Sequence, residues 1–417
     1  MIFTRPKITD VFTPRRADVN PKMYVTRPSH EKSLKRSVEG SLHTIISGES
    51  GNGKSWLYKK VALDQNWHVF PGNFSNAARL GSLTVEIHNA IVPRGSKELI
   101  AHEEKINAEL SALLAKGGAD AKRTYSIKTN ELLEKSFELG RKEAGNRTAV
   151  LVLDNLEAIF SRKELMAELG NILLLLDDER YAKHKLKILI VGIPANIVEY
   201  YQSIENLEPV GNRVEELFHI QSLTEDQVKS FLIKGFQEQL KVKLSDTLLI
   251  KWSKHIHSAT LGIAQRLHEY CERLAYIIED NEWEIPSDAL DNADWEFSAS
   301  SLYKAYSVID KCMNERETRT GRRNQVLYAL GCINQTSFDY SLVEKVVRQN
   351  FPNSTKGVTL GVSQILSDLS KNEMHLLRKT AKGNAYRFSD PKYLMCIRLM
   401  LVVNKEKETV SKKHLKR

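Results

Sequence analysis

Residues 48–55 read Gly-Glu-Ser-Gly-Asn-Gly-Lys-Ser and satisfy every fixed position of the pattern G-x-x-x-x-G-K-[ST]. The flanks agree with the motif. Before it stands His43-Thr44-Ile45-Ile46-Ser47, a short β-branched run suited to a buried strand; after it, residues 56–64 have helical spacing and no breaker. A strand, a glycine turn and a helix are thus expected in that order, which is where a phosphate-binding loop stands in an α/β fold. A chance glycine turn before a helix is the bland alternative, and the flanks on both sides argue against it.

The chemistry of such a loop asks for these residue types. Gly48, Gly51 and Gly53 let the backbone adopt conformations closed to residues with a Cβ, so that N–H groups here and at Glu49, Ser50 and Asn52 can approach phosphate oxygens. Lys54 supplies a positive charge for the β- and γ-phosphates, and Ser55 a hydroxyl ligand for Mg²⁺. The start of the following helix adds unpaired donors and a favourable dipole. ATP with Mg²⁺ is the expected ligand.

A chain of 417 residues is too long for one ordinary core and implies two or three domains. No apolar run reaches the roughly 18 residues needed to span a bilayer, and the first residues lack a signal-peptide core. A cytoplasmic protein without membrane partners is expected. The four cysteines, Cys271, Cys312, Cys332 and Cys396, are scattered without a CxxC pair, which reads as reduced thiols and no zinc site. The net charge of +9 is unevenly spread: residues 301–417 hold 22 Lys+Arg against 10 Asp+Glu, whereas the segment carrying the loop is acidic. Such asymmetry points the C-terminal part toward an anionic surface, most often nucleic acid. A solvated basic face is the competing reading, and it is the favoured one for the tail at 411–417.

Along the chain, residues 1–23 read as an irregular arm with Pro6, Pro14 and Pro21. Residues 24–222 read as the nucleotide-binding α/β domain: a helix over 29–38, strands at 43–47, 67–70, 148–153 and 186–191, a candidate last strand at 218–220, and helices at 83–92 and 128–144. A charged, Ala-rich stretch at about 95–124 is expected to be a helical insertion. Successive helices at 224–237, 245–258 and 262–279 make an all-α lid over 223–289. Beyond it, residues 290–404 read as a helix at 299–314, three short helices at 323–333, 340–349 and 360–369, and a hairpin at 375–388. That is the order of a winged helix. Residues 405–417 are expected to be a basic tail.

A second acidic motif narrows the class. In Ala149-Val150-Leu151-Val152-Leu153-Asp154 a buried strand delivers a carboxylate to the loop's end of the sheet, where Asp154 would hold Mg²⁺ opposite Ser55. An ordinary strand-end turn Asp is the other reading. With these motifs the chain resembles the AAA+ ATPases, particularly the origin-recognition and initiator branch, with some likeness to STAND switch ATPases and TniB-type transposon ATPases. The resemblance covers about 24–280 as ATPase core and lid, and more weakly 300–400 as a winged helix. In the initiator pattern the Mg²⁺ Asp is followed directly by a catalytic Glu. Here Asn155 takes that place and Glu157 lies two positions on, so Glu157 is either the base, after a sharp turn, or an exposed Glu at a helix start. Asn155 can orient water but cannot take its proton.

The resemblance further implies a polar sensor at Asn196, the nearest polar residue though one position late, an arginine finger at Arg213 acting across an ATP-dependent homo-oligomer, with a surface Arg in a Glu-rich stretch as the other reading, and a γ-phosphate sensor at Arg266, next to Gln265 where the family's Arg falls. It also implies that the segment 24–27 covers adenine. In the winged helix, Lys356, Ser363 and Gln364 lie on or before the candidate recognition helix, while Arg378, Lys379, Lys382 and Arg387 belong to the candidate wing. Duplex DNA is the expected partner of the basic wing. Because the third helix is poor in Arg and Lys, a second class stays open: a regulatory ATP switch whose winged helix docks a protein effector.

Overall fold

The structure, a computed structural model, describes residues 5–92, 119–193, 197–204, 206–313, 321–371, 375–380 and 383–413. Two units emerge, one formed by Ala17–Gln221 and the other by Met1–Arg16 together with Ser222–Arg417.

In the first unit, β1 (His43–Ser47), β2 (His68–Asn73), β3 (Ala149–Asp154), β4 (Leu186–Gly192) and β5 (Val214–Glu216) form one sheet in the order β2-β3-β4-β1-β5. All pairings are parallel. The unbroken apolar runs of the sequence follow from burial on both faces, because alternate residues point to opposite sides. Ile45, Leu151, Leu153, Ile188 and Ile190 pack on one side, with Phe137, Leu169 and Tyr201. Ile46, Val150, Val152, Leu189 and Val191 pack on the other, with Leu34 and Val38 of α2 (Pro28–Glu39) and Leu57 and Val61 of α3 (Lys54–Asp64). Each face therefore carries its own dry core.

Several expectations shift. The second strand runs on to Asn73, where the Asn side chain caps the helix Phe74–Leu80 by accepting from Ser75 N–H. That helix leads into Leu83–Ile91. The last strand is Val214–Glu216, not 218–220; of the expected residues, Ile220 makes an isolated bridge to Gly48 and Phe218 is exposed. Of the insertion at 95–124, residues through 118 lie outside the described residues, and a helix begins at Ala119 and continues to Ala144.

In the second unit, Glu225–Leu232 continues into a π-helical turn, Ile233–Gln239, and is followed by Asp246–Thr260 and Ala264–Asp280. Of the stretch 1–23 expected to be an irregular arm, residues 5–16 belong to this unit and pack on its helices. Its helix α1 (Ile8–Val11) buries Ile8 and Val11, and Phe12 lies against Phe231 and Phe236 at ring distances of 5.9 and 5.1 Å. Thr13 N–H donates to Nδ1 of buried His268 at 3.0 Å.

Two helices, Ala289–Ser300 and Tyr303–Cys312, replace the single one expected over 299–314. The winged helix comprises Arg322–Cys332, Tyr340–Asn350 and Val362–Leu369, then β6 (Leu377–Lys379) and β7 (Tyr386–Phe388). Phe338 exchanges both backbone hydrogen bonds with Tyr386 in an isolated antiparallel bridge at the edge of this hairpin. The expected basic tail is not one through Lys413. After the helix Pro391–Met400, β8 (Leu401–Asn404) and β9 (Thr409–Lys412) form a hairpin in which Glu408 accepts from the N–H groups of Asn353 and Ser354, at 2.9 and 2.6 Å.

Candidate functional site

Parallel strands bring their C-terminal ends to one edge of a sheet, and there the chain gathers its polar groups. Register pairs Ser47 with Gly192 and Asn73 with Asp154. The loop leaving β1 has left-handed backbone at Gly51 (φ 84°) and Gly53 (φ 88°), which residues with a Cβ rarely adopt. At Gly48 the constraint is space. A Cβ would stand 2.9 Å from the Ile220 carbonyl oxygen.

Gly53 is the N-cap of α3, so Lys54 and Ser55 open the helix. Lys54 is buried, and its Nζ donates to the carbonyls of Gly48 (2.7 Å) and Glu49 (3.1 Å). Burial lowers its pKa, while the carboxylates of Glu157, Asp154 and Glu49 act to keep the proton on. Ser55 Oγ donates to Asp154 Oδ2 at 2.9 Å, joining the two predicted Mg²⁺ ligands although 99 residues separate them. A hydroxyl beside a carboxylate is a hard-oxygen pair that suits Mg²⁺ and leaves the remaining positions to water and phosphate. The donor set therefore fits the group the motif implies.

The turn after β3 is sharp. Asn155 is left-handed (φ 66°, ψ 47°), its N–H donates to Asp154 Oδ1 at 2.8 Å, and a 3₁₀ turn, Leu156–Ala158, follows. This reversal carries Glu157 to the end of β4, where its Oε2 accepts from Ile193 N–H at 3.1 Å. Gly192 makes room, because a Cβ there would lie 2.6 Å from Leu156 Cβ. Glu157 is exposed and stands on the loop's edge of the sheet.

Arg213 occupies a different place. It precedes β5, and its carbonyl accepts from His43 N–H at the start of β1, so it lies at the opposite edge from the loop of its own chain. Its Nε is 2.8 Å from Asp177, and its Nη1 donates to the Pro209 carbonyl at 2.8 Å. Arg266 belongs to the other unit and pairs with Glu269 at 2.5 Å, the same carboxylate that Gln265 reaches at 3.0 Å. Asn196 lies outside the described residues.

One residue's part in the site was missed by sequence reasoning, which assigned the 24–27 segment only to adenine. The guanidinium of Arg27 is buried and donates to the Asn52 carbonyl in the loop (2.8 Å) and to the Gln221 carbonyl (2.9 Å). Asn52 Nδ2 in turn donates to the Ile220 carbonyl at 3.0 Å. Glu31 holds the backbone ahead of this bridge, accepting from Arg27 N–H and from the hydroxyl of buried Tyr24. Nothing local in the sequence distinguishes Arg27 from a surface arginine at a helix start.

In the winged helix, Arg378 and Arg387 are exposed cross-strand partners, and exposed Lys379 faces Tyr386. Lys382 lies outside the described residues. On Val362–Leu369, Ser363 and Gln364 are exposed, while Asp368 accepts from Lys371 (2.6 Å) and Gln364 (3.1 Å). Lys356 is exposed on the preceding loop.

No protein-family model and no curated protein matches the chain. Among solved structures, a Walker-type ATPase of Pyrococcus abyssi is similar over 93% of this chain and 99% of its own, with 15% sequence identity and a TM-score of 0.53. The ORC2 protein of Aeropyrum pernix, solved as ADPNP-ADP complexes, is similar over 95% of this chain and 98% of its own, with 14% identity and a TM-score of 0.50. At such identities the likeness is one of fold. The chain shares their fold, in which a five-stranded parallel sheet carrying the phosphate-loop motif is followed by a run of helices and a short three-helix and hairpin module.

Proposed function

We propose that this chain is an ATP-binding, DNA-associated AAA+ protein that hydrolyses ATP with Glu157 as the general base and acts as a switch or loader on duplex DNA. The observation that carries the nucleotide reading is the 2.9 Å bond between Ser55 and Asp154 beside a buried Lys54. Lys54, now held by two loop carbonyls, exchanges them for phosphate oxygens when ATP enters, with no net loss of hydrogen bonds. Ser55 and Asp154 would hold Mg²⁺, which would supply positive charge to offset the phosphates. In this reading Glu157, whose Oε2 accepts from Ile193 N–H at the end of β4, would take the proton from water, and Asn155, at the turn between Asp154 and Glu157, would orient that water. Arg213, at the far edge of the sheet, could serve only the site of another copy, which fits action across an oligomer.

DNA is favoured by the wing. Like charges opposite one another on a hairpin are unfavourable, and Arg378 across from Arg387 gains most from a polyanion between or above them. The polar, uncharged start of the helix Val362–Leu369 supports backbone contact more than base reading, so affinity should depend steeply on salt and weakly on sequence.

The test is to size the full chain with and without ATP and duplex DNA while following phosphate release. ATP-dependent assembly, DNA-stimulated turnover and their loss in Lys54→Ala support the proposal. Charge reversal at Arg378 and Arg387 should weaken duplex binding on the order of tenfold or more and flatten its salt dependence. Nucleotide-dependent assembly with no DNA affinity would transfer the winged helix to a protein effector.

A further inference from the structure

We infer that Arg27 is a positioning residue that couples nucleotide occupancy of the loop to the segment through which the chain leaves the ATPase unit. The inference rests on the nucleotide reading above. Arg27 is a buried cation whose two long arms end on carbonyls of separate segments, Asn52 in the loop and Gln221 next to the unit boundary. Burying a guanidinium is costly, and its charge is correspondingly harder to keep: burial lowers its pKa, opposed by Tyr24 and Glu31. A planar fork spanning two fixed carbonyls is something a lysine cannot reproduce, since its ammonium is a single point on a flexible stem.

The connection is short and doubly fastened. Asn52 is held at its carbonyl by Arg27 and at its amide by the Ile220 carbonyl. Ile220 also forms the parallel bridge to Gly48, at a distance that only glycine permits. One residue later Gln221 ends the unit, and Leu223 N–H is already bonded to the carbonyl of Gly262, a left-handed glycine of the lid. A Cβ on Gly262 would lie 2.1 Å from the Leu223 oxygen, so that attachment is as tightly specified as the one at Gly48. Only Ser222 lies between the Gln221 carbonyl that Arg27 grips and the residue that the lid grips. When phosphate fixes the loop amides, the Asn52 carbonyl is fixed with them, and Arg27 passes that restraint to residue 221.

Amide hydrogen exchange of the full chain, with and without ATP and Mg²⁺, tests this. In the wild type ATP should slow exchange both in peptides covering 48–55 and in those covering 218–224. In Arg27→Gln and Arg27→Lys the loop should still be protected at saturating ATP, with affinity lowered on the order of tenfold, while protection at 218–224 is lost. A purely structural role would lower the melting temperature equally with and without ATP; coupling should shrink the ATP-induced rise itself. If Arg27→Gln does not fold, Arg27→Lys, which keeps the charge but not the planar fork that spans both carbonyls, supplies the comparison. Protection at 218–224 that persists in these variants overturns the inference and leaves nucleotide binding standing. Failure of the wild type to bind ATP overturns the reading beneath it.

Discussion

Glu157 and Asn155 show how far a local backbone choice can move a functional group. Residue count alone puts the carboxylate two positions beyond the family's place for it, but one left-handed residue at 155 folds those positions back over β4. Glu157→Gln is expected to cut phosphate release by about 100-fold or more while ATP binding persists, as for loss of a general base. Unchanged turnover would remove Glu157 from the mechanism. Two buried histidines contribute to the acid limb of stability. His43 Nδ1 accepts from Ile188 N–H at 3.1 Å, and His268 Nδ1 from Thr13 N–H at 3.0 Å. Burial pushes their pKa values down to about 4 and about 3, with Lys187 adding to the effect at His43. Between these values and the ordinary 6.5 the unfolded chain binds more protons than the folded one. Stability is therefore full above pH 6.5 and falls as the pH drops toward 4, by about 1.4 kcal/mol per pH unit for each histidine. Melting temperatures from pH 7 to 4 check this, and His268→Gln should give the shallower profile.

Strands and helices that bury a regular face were legible before the structure; elements held by distant partners were not. β3 and β4 announce themselves as apolar runs, because both faces of a parallel strand are dry. The run 218–220 is more strand-like than Val-Glu-Glu, yet β5 is an edge strand paired only to β1, in which Val214 is buried, Glu215 is exposed and Glu216 accepts from Ile197 N–H at 3.2 Å. The second strand of the C-terminal hairpin, with Val410 its one apolar residue, falls in the stretch 405–417 expected to be tail. Its hold is polar and long-range: fully buried Gln325 donates to the Glu408 carbonyl at 2.7 Å and to Ser354 Oγ at 3.0 Å, and accepts from Arg322 at 2.6 Å. Gln325→Leu strands these groups and should cost about 1–3 kcal/mol in a urea titration. No measurable loss would show that the hairpin is not fastened there.

For the whole molecule, the phosphate loop, Asp154 and the order of core, lid and winged helix could be read from spacing and pattern, because each is a local signal repeated at the right interval. Arg27 and the docked N-terminal stretch could not, since their partners lie about 25 to 255 residues away. That stretch has a consequence for biosynthesis. Ile8, Val11 and Phe12 are made well before Phe231, Phe236 and His268, the lid residues that meet Phe12 and Thr13. At about 5–20 residues per second, some 250 residues of elongation leave this apolar patch uncovered for roughly 13 to 50 seconds. The unit Ala17–Gln221 is finished within that interval and can close on its own core. Stalled nascent chains should therefore be protease-sensitive around Ile8–Phe12 while the unit Ala17–Gln221 is already protected, and lose that sensitivity only after the lid has emerged.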